Sequence, residues 1–194
     1  MIKKVIGIFI LLGVILLISC QSGKPIKMLS DEGMMYAMIY DYDNMPVSGV
    51  AVFINGRKIV DSDIQGRFIL TSMKKGEYSV RLTKRGYETL EENFQFDPLQ
   101  VLYIKMINTA QLVDLAEIAL DNADFATAEK YILRALLLEP TRPDILYLKS
   151  IVFYLQARNE EAIDSLENLI MTGNDNPSIS RLLEMVRQIE SSEE

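Results

Sequence analysis

Histidine is absent from all 194 residues, and cysteine occurs once, at position 20. Without histidine the chain has neither the Ser-His nor the Cys-His pair of nucleophilic catalysis. It also lacks the histidine-and-cysteine set that holds a tetrahedral zinc ion. One cysteine leaves no disulfide within the chain. No glycine-rich phosphate loop ending in Lys-Ser or Lys-Thr occurs, and no strand-Gly-x-Gly-x-x-Gly-helix unit. Basic residues are outnumbered, 20 against 27 acidic, for a net charge of −7. No basic stripe offsets that acidity, so a phosphate backbone is repelled and no nucleic-acid partner is expected.

Long apolar runs are lacking too. The run from Val5 to Ile18 spans 14 residues and is broken by Gly7 and Gly13, short of the roughly 20 that cross a bilayer comfortably as a helix. Lys3 and Lys4 precede it and the small Ser19 follows, the layout of an export signal. If that segment is removed, the balance becomes 18 basic against 27 acidic residues, a net charge near −9.

What is present begins with Leu17-Ile18-Ser19-Cys20. These four residues resemble the lipobox of bacterial lipoproteins. The resemblance implies cleavage before Cys20, with lipid on its sulfur and on its new amino group. The alternative is an inert, buried thiol in an uncleaved anchor helix. Residues 1–19 are then a lipoprotein signal peptide and 20–33 a lipidated tether, polar and marked by Gly23, Pro25 and Gly33. That stretch also reads as an arm lying on the first domain.

Residues 34–107 carry short strands and glycine turns. Tyr78, Val80 and Leu82 alternate with Ser79, Arg81 and Thr83, and Leu102, Ile104 and Met106 with Val101, Tyr103 and Lys105. Such alternation sends one set inward and the other to water. Asn55-Gly56 between two apolar runs is a two-residue hairpin signal. Gly66, Gly76 and Gly86 recur every ten residues beside strands, as in a β-sandwich. The expected core is Val52, Ile54, Phe68, Leu70, Tyr78, Val80, Leu82 and Ile104. The order Pro46-Val47-Ser48-Gly49-Val50, Asp63-Ile64-Gln65-Gly66-Arg67-Phe68, Gly76-Glu77-Tyr78 and Arg85-Gly86-Tyr87-Glu88 resembles the carboxypeptidase regulatory-like domain, a transthyretin-like sandwich. That resemblance implies a structural or binding module and no peptidase.

Two chemical readings arise within this region. Asp61-Ser62-Asp63, with Gly66 as the turn, offers carboxylates to calcium, but the acidic loop closing in glutamate is missing. Solvated turn carboxylates are the simpler reading. Tyr36, Tyr40 and Tyr42 offer a sugar-stacking face, or else half-buried packing with wet hydroxyls.

From Thr109 the apolar period lengthens to three or four. Helices are expected over 111–122, 125–139, 143–158, 160–172 and 177–189, with Asp124 and Asn159 as N-caps and a frayed acidic end. Ala123 and Ala157, and Ala128 and Ala162, are each 34 residues apart. Leu112, Leu115, Ala116 and Ala119, then Ala128, Ile132, Ala135 and Pro140, resemble the tetratricopeptide repeat. A second copy keeps Leu146, Phe153, Ala162 and Leu166. The first helix lacks the family's Trp and Tyr, and Ala116 replaces its Gly.

The expected architecture is α+β in two domains, a small antiparallel β-sandwich followed by helical repeats over 108–194 with a capping helix. In the repeat family, first helices line a concave face. By position this implies Val113, Glu117, Asp121, Tyr147, Ile151 and Tyr154 as partner-binding residues. Tyr154 and Ile151 read equally as packing against the capping helix. The pairs Glu91-Glu92 and Glu160-Glu161 sit in solvated runs, whereas glycosidase chemistry needs two carboxyls facing across a cleft. No cofactor or metal is expected.

The functional expectation is a non-enzymatic envelope lipoprotein. Its lipid holds a membrane, and its helical repeats hold another envelope protein. The alternatives are a surface-ligand or carbohydrate receptor working through the sandwich, and a self-associating architectural lipoprotein.

Overall fold

The computed structural model of the protein describes residues 32–174 and 176–193. Cys20, the signal segment and the tether up to residue 31 lie outside the described residues. Strands come first and helices follow, an α+β chain. Among the described residues, no helix is long and apolar enough to cross a membrane.

The first strand, β1 (Glu32–Asp41), shows how the pattern becomes structure. Met35, Ala37 and Ile39 are buried, while Met34 and Tyr36 point outward and are exposed, the period of two that a pleated strand imposes. The strands that follow are β2 (Ala51–Ile54), β3 (Arg57–Asp61), β4 (Arg67–Lys74), β5 (Gly76–Thr83), β6 (Leu90–Phe96) and β7 (Val101–Met106). One sheet has the order β4-β1-β7 and the other β3-β2-β5-β6. Between them lies one core in which Val52, Ile54, Phe68, Leu70, Val80, Leu82 and Ile104 are buried and Tyr78 packs half-buried, as the alternation predicts. Phe94, Phe96, Val47 and Val50 complete it.

The sandwich is not wholly antiparallel. β1 pairs with β4 antiparallel but with β7 parallel, Tyr36 opposite Val101 and Asp41 opposite Met106. Parallel neighbours cannot be joined by a tight hairpin and need a long crossover. Here the crossover is everything from β2 to β6, so the last strand returns beside the first.

Two turns explain their residues. Asn55 and Gly56 both have positive φ, 48° and 80°, as a type I′ hairpin requires. Gly66 has φ 71°, and a Cβ there would collide with the Ile39 carbonyl oxygen and crowd the Val47 amide. The close approach lets Ile39 N–H donate to Gly66 O at 2.8 Å and Val47 N–H to Ile39 O at 3.0 Å.

Five helices follow: α1 (Thr109–Asp121), α2 (Phe125–Leu138), α3 (Pro143–Leu155), α4 (Asn159–Met171) and α5 (Pro177–Glu193). Each packs on the next in sequence. α3 is apolar on nearly all sides because it is shared. Ile145 and Val152 enter a core with α1 and α2, whereas Phe153 enters a second one with α4 and α5. A helix with two covered faces needs no broad polar stripe.

Two details at helix ends depart from expectation. Asp124 caps α2 by accepting from Thr127 N–H, as predicted, but α4 starts one residue early. Arg158 stands at its N-cap without a side-chain cap bond, because a guanidinium has no acceptor to offer the free amides, and it pairs instead with Glu129 and Glu161. The helical end continues through Ser191 to Glu193 rather than fraying after Ile189.

The sandwich and the helices meet without a linker. Met106 belongs to the sandwich core, and Ile107, the next residue, to the helical core.

Candidate interaction surfaces

Three surfaces follow from this arrangement. The first is the junction. Asn108 caps α1 in a capping box with Gln111, whose own amide donates to Asp43 Oδ2 at 2.5 Å and accepts from Tyr42 N–H at 3.4 Å. Thr109 N–H donates to Gly86 O, and Glu88 N–H to Ile107 O. Arg134 of α2 makes a two-pronged ion pair with Glu88 at 2.6–2.7 Å. The Glu88 carboxylate raises the Arg134 pKa above its ordinary value. Such forked pairing adds directional as well as electrostatic hold. The Asn108-x-x-Gln111 spacing is that of a capping box, but nothing in it marks Gln111 as buried, and Gln111 is 5% exposed.

The second surface is the helical stripe. Val113 is half-buried against the first helical core, while Glu117 and Asp121 stand exposed one and two turns further along α1. Tyr147, Ile151 and Tyr154 come together on α3, half-buried against the core that α4 and α5 share. Tyr147 also lines a depression of about 320 Å³ with Pro143, Asp144, Asn174, Asn176 and Ile179. Thus two of the six positions are freely presented, and four lend part of their surface to packing. A charged network braces the stack beneath them. Arg158 bonds Glu129 and Glu161 and lies over the Phe153 ring, 4.2 Å from its centroid. The guanidinium holds the Glu161 carboxyl below its usual range.

The third surface is the sandwich exterior, where the two sheets differ. On the second sheet, Arg81 pairs with Glu91 and stacks over Phe53 at 4.3 Å, while Glu77, Ser79, Glu91, Asn93 and Gln95 occupy neighbouring outward places. On the first sheet, Met34, Tyr36, Ile69, Val101 and Tyr103 are exposed. Strand register joins them: Tyr36 lies opposite both Ile69 and Val101, and Met38 opposite Tyr103. Of the three tyrosines singled out in the sequence, Tyr36 and Tyr40 share this face, while exposed Tyr42 sits past the strand end. Tyr103 was missed as a member of the face. Its alternation marked it as outward, but only the parallel pairing of β7 puts it beside β1.

The turn at Asp61-Ser62-Asp63 spends its polar atoms locally. Asp63 accepts from the Gln65 and Arg67 amides and from the Arg67 side chain. The Arg67 amide leads in lowering its pKa. Asp61 pairs with Lys58, and the buried Ser62 hydroxyl donates to Val47 O while accepting from Val50 N–H. Among the described residues, no group of three or more Asp, Glu or Cys converges to hold a metal.

No family model and no curated protein matches the chain. Similar solved structures include the Bacillus anthracis TIE protein, 20% identical over 40% of this chain and 16% of that one, with a TM-score of 0.35. A streptococcal ancillary pilin is 21% identical over 40% of this chain and 29% of its own, TM-score 0.34. A cohesin–X-dockerin complex from Acetivibrio cellulolyticus is 24% identical over 38% of this chain and 56% of that one, TM-score 0.32. The chain therefore spans less than two thirds of each of these structures' chains.

Proposed function

We propose that the protein is a non-enzymatic lipoprotein of the bacterial envelope, anchored through Cys20 and acting as a scaffold that holds another envelope protein. In this reading residues 34–107 are a carboxypeptidase regulatory-like module, and residues 108–194 are two degenerate tetratricopeptide repeats closed by α5. The observation that carries the reading is the recurrence of one helix–turn–helix unit at an offset of 34. Ala123 N–H donates to Leu120 O and Asp124 N–H to Ala119 O; 34 residues on, Ala157 donates to Tyr154 O and Arg158 to Phe153 O. Both alanines have positive φ, 56° and 57°, and Ala128 and Ala162 are both fully buried. Such units bury a continuous core by stacking and leave an extended surface for a partner.

Glu117 and Asp121 present acid on α1 and the half-exposed Tyr147, Ile151 and Tyr154 an aromatic and aliphatic surface on α3, chemistry suited to a basic, partly apolar segment. Tethering confines that surface near one membrane, so weak contacts act at high local concentration. Crosslinking in cells followed by capture tests the reading. The paired change Glu117→Lys and Asp121→Lys is expected to abolish capture without altering thermal stability. Capture unchanged by that pair, and lost only when the sandwich is altered, would overturn the helical site.

A further inference from the structure

We propose that the outer face of the first sheet, β4-β1-β7, rests on the surface of the membrane to which the chain is tethered; the anchor itself belongs to the function proposed above. The face is chemically unlike the rest of the molecule. Tyr36 is 53% exposed, Tyr103 66% and Met34 48%, and the pairing of Tyr36 with Ile69 and Val101 makes the patch continuous. The chain has 27 acidic residues. None occupies an outward place on this face, from Met34 to Tyr40 of β1, Arg67 to Thr71 of β4, or Val101 to Lys105 of β7. The charged residues among them are Arg67 and Lys105, both basic and both toward one end. At its margins Arg67 is paired with Asp63, Lys105 follows Tyr103 on β7, and β1 opens on Glu32 opposite Lys74. A surface whose middle holds tyrosines and apolar side chains and no carboxylate suits an apolar layer bordered by polar headgroups.

Tyrosine suits such a boundary, since its ring takes the acyl side and its hydroxyl the headgroup side. The sheet cannot go deeper. Among the described residues, the outer edges of β4 and β7 have no strand partner, and unpaired backbone groups are not tolerated in hydrocarbon. The position of the tether fits as well. Eleven residues, 21–31, separate Cys20 from β1, a reach of at most about 40 Å. The strand they lead into is the middle strand of this face.

The chain contains no tryptophan, so one indole reports on one place. Tyr103→Trp on this face and Ile59→Trp on the second sheet would be introduced separately into the full acylated chain. Each would be reconstituted in phosphatidylcholine vesicles with a minority of phosphatidylglycerol. Both native side chains are exposed, at 66% and 49%, so the fold accepts either indole. The Tyr103→Trp probe should shift to the blue on reconstitution and lose about half its emission to brominated acyl chains, while the Ile59→Trp probe does neither.

Emission from Tyr103→Trp that stays as red and as unquenched as from Ile59→Trp overturns the proposal. So does a blue shift that needs no vesicles and grows with protein concentration, which would assign the face to a second copy. Mass analysis of the Cys20 peptide reads the anchor separately. If that thiol is unacylated, coupling it to a maleimide lipid in the same vesicles poses the question of the face again, with the same two outcomes.

Discussion

The sandwich and the helical stack solve the same problem with unequal means. The sandwich closes on a single core, fed by alternating residues from both sheets, and turns its chain with residues suited to positive φ, Asn55-Gly56 and Gly66. The helices bury two smaller cores that share α3, and at two of their bends an alanine adopts a left-handed conformation. Alanine there costs about 1–2 kcal/mol relative to a relaxed backbone. A repeat pair cannot cover its own apolar face, so this part depends on its ends. α5 covers one with Ile179, Leu182, Leu183 and Val186 while turning Arg181, Glu184 and Arg187 to solvent. At the other, α1 is held by Gln111 and Thr109, and α2 by the Arg134–Glu88 pair. The difference teaches that the two parts share a boundary but differ in self-sufficiency.

Substitutions test that contrast. The largest effect is expected in the sandwich, where Gly66→Ala brings both a left-handed alanine and a backbone collision. It should lower unfolding free energy by about 2–4 kcal/mol, read from the denaturant midpoint. Ala128→Leu, at a fully buried position of the first helical core, should cost about 1–3 kcal/mol by overpacking. An unchanged midpoint would mean that the helices have slack at their core.

At the junction, Gln111→Ala removes the capping-box partner and the part-buried contacts to Asp43 and Tyr42. A loss of about 1–2 kcal/mol is expected. Hydrogen exchange should accelerate in α1 and α2 while the sandwich core stays protected. The reverse effect is expected at the bends. Ala123→Gly and Ala157→Gly should each stabilise by about 0.5–1 kcal/mol, because glycine takes positive φ without the Cβ penalty. Stabilisation at neither site would remove the contrast drawn here.

The smallest effect is in pH. The Arg67 amide first of all lowers Asp63, the Lys75 ammonium Asp97, and the Thr127 hydroxyl and amide Asp124. Folded carboxyls below their unfolded values bind protons less readily than the unfolded chain does. Their contribution is therefore complete above the unfolded value and lost as pH falls through the folded one, below about pH 4. The chain has no histidine, so a urea midpoint that is flat from about pH 6 to 8 and declines only in acid is expected.

Much of this architecture was legible because it is periodic. A period of two placed Val80, Leu82 and Ile104 in the sandwich core, and the 34-residue offset paired Ala128 and Ala162, one buried in each helical core. What was not legible depends on distant pairing. The parallel return of β7 leaves no local mark, since an alternating strand reads alike in either direction. The same pairing hid Tyr103 from the face that carries Tyr36. Gln111 was hidden for another reason: its partners at Asp43 and Tyr42 are 68 and 69 residues away. Among the stripe residues, sequence assigned a helix and an offset to Tyr147, Ile151 and Tyr154. How much of each α5 and α4 would cover could come only from packing.

The reading of the whole chain depends most on position 20, and mass analysis of the N-terminal peptide from native membranes tests it most directly. The account predicts a peptide that begins at Cys20 and carries lipid on its sulfur and on its amino group. A peptide that begins at Met1, or a Cys20 recovered as a free thiol, would contradict it.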